Sequence, residues 1–96
     1  MEVRYSAHLR LRLKVRDIPE DLPRVVYFNA RRRFIDLATQ TEVAIARRNL
    51  WGKQRDIVLI YRRYATHVVL ITMHPLKPGQ AENRVQTGRW QKIQDT

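Results

Sequence analysis

The chain has 96 residues, which is the length of a single domain spanning 1–96, and its 44% apolar content is sufficient for a hydrophobic core. Its 19 Lys+Arg residues exceed its 9 Asp+Glu residues, so the formal net charge of +10 predicts an anionic partner. The absence of cysteine excludes disulfides, a thiolate nucleophile and a cysteine-ligated metal site. Fifteen of the 19 cations are arginine, whose planar guanidinium matches phosphate, so the composition favours a nucleic acid.

The distribution of apolar and charged residues predicts a cytoplasmic protein. The longest apolar runs have about five residues, far short of the roughly 20 that a membrane-spanning helix needs. The opening Met1-Glu2-Val3-Arg4 leads into charged sequence, so we expect no secretory signal. The positive charge is spread equally over both halves of the chain, and we therefore assign it to the folded body.

The first elements are a short edge strand at residues 3–5 and a helix from His8 to Arg16. The second segment is ambiguous, because Leu9, Leu11 and their successors alternate with basic residues as in a half-buried strand. Leucine and arginine are good helix formers, however, and Ser6 is a suitable N-cap. We favour the helix.

A second helix is predicted from the motif Asp17-Ile18-Pro19-Glu20, which combines an acidic cap with an early proline. Pro23 is an alternative first turn. In either case the helical spacing of apolar residues extends to about Arg32.

The rest of the chain predicts strands at residues 34–38, 42–50, 57–61 and 67–73, with a tight turn at Gly52-Lys53. Short connections predict antiparallel neighbours. Pro75 and Pro78 end the sheet, and a basic tail from residue 83 to 93 follows, with Trp90 and Ile93 as core anchors. The predicted fold class is α+β, with two N-terminal helices packed on a four-stranded antiparallel sheet.

His8, Arg12 and Arg16 form the first candidate site. Their i, i+4, i+8 spacing places them on one stripe of a helix. A histidine can move a proton near neutral pH, and arginines can stabilise the charge that develops on a phosphate, so the set suits RNA cleavage. A solvated helix face is the alternative interpretation.

A second group of candidates lies where the predicted strands end. His74 and Lys77 follow the last strand and are placed for the rim of a groove, and Arg63 is a further candidate for nucleic-acid binding. In the tail, Arg84 and Arg89 are expected to contact phosphate while Trp90 docks in the core. The run Arg31–Arg33 is expected to end the second helix, where it suits the helix dipole and adds to RNA attraction.

Several types of site have no sequence signature. The chain has no carboxylate pair, no metal-ligand spacing and no glycine-rich phosphate loop. We therefore expect no cofactor and no metal, and any catalysis is expected to be metal-independent.

Two segments resemble a bacterial protein family. Tyr5-Ser6-Ala7-His8, followed by Arg12 and Arg16, is similar to a His-x3-Arg-x3-Arg opening, and the segment from His74 to Gln80 also looks like a family feature. This family is similar to the RelE/ParE toxin superfamily, especially its BrnT-like branch. The resemblance implies a RelE-like fold and a toxin that cleaves RNA without metal and is silenced by an acidic antitoxin protein.

Three functions follow as hypotheses. The first is a toxin-like endoribonuclease acting on RNA, for example mRNA on the ribosome, with His8 or His74 as general acid or base and with Arg12, Arg16, Arg89 and Lys77 on phosphate. The second is a basic RNA- or DNA-binding module without chemistry. The third is a subunit that docks an acidic partner protein, and a homodimer is also compatible with the sequence.

Overall fold

The computed structural model describes residues 1–93 and contains nine elements. In chain order these are β1 (Glu2–Tyr5), α1 (Ala7–Val15), α2 (Leu22–Asn29), β2 (Arg32–Asp36), β3 (Thr41–Leu50), β4 (Lys53–Arg63), β5 (His67–Pro75), α3 (Gln80–Gln86) and β6 (Trp90–Lys92).

All six strands belong to one mixed sheet in the order β1-β5-β4-β3-β2-β6. β1 runs parallel to β5, and every other pair is antiparallel. The predicted α+β class is confirmed. The predicted short edge strand at residues 3–5 is confirmed as β1. The predicted two helices on a four-stranded antiparallel sheet are wrong in detail, because β1 makes the sheet mixed, β6 extends it at the other edge and α3 is a third helix. β6 has only three residues, too few to show a period in the sequence.

The helical interpretation of the ambiguous N-terminal segment is confirmed. The side chain of Ser6 accepts a hydrogen bond from the Leu9 amide at 3.0 Å, which caps α1 as predicted. Leu9 and Leu13 are buried against the sheet, whereas Leu11 and Val15 are exposed. The alternating leucines therefore divide between two sides of a helix.

Of the two predicted starts of the second helix, the one at Asp17-Ile18-Pro19 is wrong, and the predicted end near Arg32 is also wrong. α2 begins at Leu22 with Pro23 in its first turn, as in the alternative interpretation, and it ends at Asn29. Ala30 is extended, at φ −65° and ψ 133°, and Arg32 is already paired with Ile45 in the sheet. Sheet pairing thus ends the helix earlier than the apolar spacing suggested.

The predicted basic tail is instead helix α3 followed by strand β6. Gly88, at φ 80°, allows the turn between them. The predicted docking of Trp90 is confirmed: its side chain is buried and its ring stacks on Phe34 at a centroid distance of 5.4 Å. This anchoring brings the end of the described chain back to the sheet.

The sheet separates two hydrophobic clusters. Alternate residues of β4 divide between them, with Leu59 and Tyr61 in the cluster beneath α1 and α2 and Val58 in the cluster with Ala81 of α3. We call the first side the α1/α2 face and the second the α3 face. Within residues 1–93, no helix is long and apolar enough to cross a membrane.

Candidate nucleic-acid interface

The hairpin formed by β3 and β4 is longer than the strands beside it. β2 pairs with β3 only as far as Ile45, and β5 pairs with β4 only from Ile57 onward. The outer part of the hairpin, residues 47–50 and 53–56, therefore pairs within the sheet only with itself. This ribbon carries four of the cations, namely Arg47, Arg48, Lys53 and Arg55.

Two of these cations face each other. Arg48 on β3 is directly opposite Arg55 on β4, so both side chains project from the same face of the ribbon. Neither forms a salt bridge within residues 1–93. Like charges directly opposite each other destabilise a sheet. An anion bound between the two guanidinium groups would reduce this repulsion.

The two guanidinium groups differ in their hydrogen bonds. Arg55 Nε donates to the Leu50 carbonyl at 2.9 Å, and its guanidinium lies 5.4 Å from the centre of the Trp51 ring. Arg48 Nε is buried and has no hydrogen-bond partner in the described part of the chain. A buried donor without an acceptor costs free energy, and an atom this buried is out of reach of a ligand unless the side chain moves.

Arg55 lines one cleft and Arg48 lines a neighbouring one, and we call the two clefts together the arginine groove. It consists of two clefts of about 420 and 400 Å³ that share Arg32, Arg47 and Asp56. Its cations come from the α2–β2 connection, the ribbon and the segment after β5. They are Arg31, Arg32, Arg47, Arg48, Arg55 and Lys77.

Only two acidic residues among those described line the arginine groove, Asp56 and Glu82. Arg47 pairs with Asp56 at 3.2 Å, but both side chains are largely exposed, and such a pair is weak. The groove therefore retains a clear excess of positive charge, and most of its charge is guanidinium.

The predicted catalytic stripe lies on α1. His8 is exposed, Arg12 is half-buried, and Arg16 is exposed at the C-cap. The structure shows no hydrogen bond among these three side chains. The three residues do lie along α1 and its C-cap, as the spacing predicted. They do not form one cluster with His74, the other predicted catalytic residue.

His74 lies on the other side of the sheet. It is opposite Val58, which belongs to the α3 face, whereas α1 packs on the α1/α2 face. His74 Nδ1 is 2.9 Å from the Pro75 carbonyl oxygen. A carbonyl only accepts, so Nδ1 is the donor in this bond. Lys77, three residues on, lines the arginine groove.

The residues predicted to bind nucleic acid outside the catalytic set are Arg63, Lys77, Arg84 and Arg89. Two of them form hydrogen bonds with carboxylates. Arg63 donates two hydrogen bonds to Glu42, at 3.1 and 3.2 Å, and this carboxylate raises the pKa of Arg63 further above its usual range. Arg89 Nε donates to both oxygens of Asp36 at 3.2 Å. Arg84 is half-buried on α3, and no salt bridge is found for it within residues 1–93.

Asp36 organises the end of β2. Burial raises the pKa of this carboxyl, but hydrogen bonds from Arg89, the Ala38 amide and the Trp90 indole outweigh burial and hold the pKa below its usual value. Arg89 is therefore part of the hydrogen-bonded cluster that holds Trp90, and the carboxylate of Asp36 offsets its charge.

Sequence reasoning did not identify Arg47, Arg48 and Arg55 as a group. A signal was present in the turn: the hairpin turns at Trp51-Gly52, which puts Arg48 opposite Arg55. The predicted turn at Gly52-Lys53 would instead have put Arg48 opposite Ile57. A one-position difference in the turn thus concealed the arginine pair.

The described residues contain no group of three or more His, Cys, Asp or Glu side chains arranged to hold a metal ion. No protein-family model matches the chain, and no curated protein or solved structure matches it.

Proposed function

We propose that this protein binds RNA through the arginine groove. The observation that carries the proposal is the Arg48–Arg55 pair, two opposed guanidiniums without a carboxylate partner within residues 1–93. Phosphate oxygens would relieve the repulsion between them. Guanidinium binds phosphate through paired hydrogen bonds, which suits it to this role.

The position of the cations also supports a polymeric ligand. Lys77 lines one cleft and Arg31 the other, and Arg32 and Arg47 line both. A chain of phosphates can contact such a series of cations at once, whereas a single small anion can contact only part of it. Binding to a nucleic acid then follows the release of counterions and depends steeply on salt.

The test is fluorescence anisotropy with a labelled RNA at a series of salt concentrations. Arg48→Gln and Arg55→Gln are each expected to weaken binding several-fold, and to reduce the magnitude of the salt slope by about 0.7 to 0.9 for each lost phosphate contact. Arg10→Gln is the matched control, because Arg10 is exposed on α1 and does not line the arginine groove. Equal effects of all three substitutions, or no binding at low salt, would refute the proposal.

Metal-independent cleavage of the bound RNA is the second candidate function, that of a RelE-like toxin. The observation that favours it is the hydrogen bond from His74 Nδ1 to the Pro75 carbonyl, because a histidine whose ring is oriented by Nδ1 can present Nε2 for proton transfer. The packing of α1 and α2 on one side of four consecutive antiparallel strands is compatible with the RelE-like fold that the sequence resemblance implies. An acidic antitoxin protein would then cover the basic surface.

Cleavage is tested by incubating RNA with the protein in EDTA and separating the products by size. His74→Gln is expected to abolish cleavage while leaving RNA affinity within about twofold. His8→Gln and Arg12→Gln test the helix stripe in the same assay, and whichever histidine is required identifies the side of the sheet that carries the chemistry. If the RNA stays intact with the wild-type protein, cleavage is refuted and RNA binding is the only proposed function that stands.

A further inference from the structure

Trp51 at the tip of the β3–β4 hairpin is an exposed aromatic residue in an uncommon backbone conformation. Its φ is +54°, in the left-handed region that residues other than glycine rarely adopt, and 44% of its surface is exposed. Leu50, its neighbour, is buried in the core, and Gly52 completes the turn. The backbone thus holds a large apolar side chain outward at some cost in free energy.

The indole of Trp51 is held in a fixed orientation. Its Nε1 donates to the carbonyls of Arg16 and Asp17, at 2.9 and 3.2 Å, so the hairpin tip is tied to the end of α1. The Arg55 guanidinium lies over the ring. An exposed ring that is restrained in this way loses little further entropy when a flat ligand stacks on it.

Trp51 and the arginine groove adjoin each other through Arg55, which contacts the ring and lines one of the two clefts. A single-stranded nucleic acid offers phosphates and unpaired bases side by side, whereas a duplex hides the faces of its bases. Protein surfaces that bind single strands combine a basic groove with aromatic rings on which bases stack.

We propose that Trp51 stacks on an unpaired base of a single-stranded nucleic acid whose phosphates occupy the arginine groove. The inference rests on the proposed function and deepens it, because it names single strands as the substrate class. It also assigns a role to a residue that neither the predicted catalytic stripe nor the predicted phosphate contacts include.

The chain offers a matched control in Tyr64. Tyr64 is 45% exposed, almost the same fraction as Trp51. It directly follows the 11-residue strand β4, whereas Trp51 precedes that strand, so the two rings lie at opposite ends of β4. The ring of Tyr64 stacks on His67 at a centroid distance of 4.8 Å. Loss of Tyr64 removes a comparable exposed ring without touching the arginine groove.

The experiment compares a short oligouridylate, the DNA strand of matching length, an RNA duplex with the same number of phosphates, and inorganic polyphosphate. Single strands are expected to bind more tightly than the duplex and to quench the tryptophan emission of the wild-type protein, whereas polyphosphate binds without quenching. Trp90 is buried, so Trp51 is the residue that reports contact. This wild-type measurement does not depend on the folding of any variant.

Trp51→Ala is expected to reduce affinity for the single strand about fivefold or more, from the usual contribution of one base stacked on an aromatic ring. Trp51→Phe retains most of the affinity, and Tyr64→Ala is unchanged. If Trp51→Ala binds the single strand as tightly as wild type while Arg48→Gln still weakens it, the stacking role is wrong and the proposed function stands. If the wild-type protein binds neither RNA nor DNA at low salt, both fail together.

Discussion

Arg48 and Arg55 stand directly opposite each other on β3 and β4, and within residues 1–93 neither has a carboxylate partner. A cross-strand pair of opposite charges would stabilise the hairpin, whereas this pair opposes its folding. Opposite charges at these two positions would favour stability, whereas two positive charges favour anion binding.

Replacing Arg48 with glutamate is expected to change stability and RNA affinity in opposite directions. Arg48→Glu supplies a carboxylate opposite Arg55, so the free energy of unfolding should rise by about 0.5 kcal/mol. RNA affinity should fall at the same time, because one phosphate ligand is lost and a repulsive charge is added. Urea denaturation and anisotropy measure the two effects. Arg47→Glu is the control, since it loses RNA affinity without gaining stability, and a loss of stability in Arg48→Glu would contradict the prediction.

Asp36 and Arg89 form a pair with a mainly structural effect. Asp36→Asn removes the charge that accepts hydrogen bonds from Arg89 and Trp90 and is expected to lower the free energy of unfolding by about 2 kcal/mol. Urea denaturation provides the measurement. Asp56→Asn, which loses only the exposed pair with Arg47, is the control and should change stability by less than about 1 kcal/mol. Similar effects for both would show that burial of Asp36 contributes little.

The same carboxylate gives stability a dependence on acid. The pKa of Asp36 lies below the roughly 3.9 of an unfolded aspartate, so below that pH the unfolded chain binds more protons than the folded chain. The contribution of Asp36 is complete above about pH 4 and is lost as the pH falls through its folded pKa. The difference in unfolding free energy between wild type and Asp36→Asn should be constant between about pH 7 and pH 5 and should shrink near about pH 3. A difference that grows on acidification would contradict the assigned direction.

Arg63 is expected to behave differently from Arg48, although both were candidates by charge. Arg63 is paired with Glu42, so Arg63→Gln should leave RNA affinity within about twofold and should lower stability by about 1 kcal/mol. Thermal denaturation and anisotropy test the two statements. A loss of RNA affinity as large as that of Arg48→Gln would restore Arg63 to the phosphate contacts predicted for it.

The sequence predicted local features reliably where a single residue type carries the signal. Ser6 was identified as a cap, Pro23 as an alternative first turn and Trp90 as a core anchor, and each position has that role in the structure. These features depend on hydroxyl geometry, a fixed φ and a large apolar surface, which belong to the residue itself. Strand β6 and the end of α2 were mispredicted, because pairing with a distant strand decides them.

The candidate site shows the same division. Charge and arginine content indicated a polyanion, and the helix stripe of His8, Arg12 and Arg16 followed from spacing. Nothing in the spacing showed that α1 and His74 would lie on opposite sides of the sheet, or that Arg63 and Arg89 would be held by Glu42 and Asp36.

The sequence by itself determined that this protein is a basic α+β chain whose excess charge is arginine and belongs to the folded body, because composition and local periodicity act within a few residues. Only the tertiary structure decided which arginines remain available. Pairing between strands places a carboxylate beside Arg63 and a second cation beside Arg55, and a charge is neutralised or exposed according to the neighbour that the register gives it.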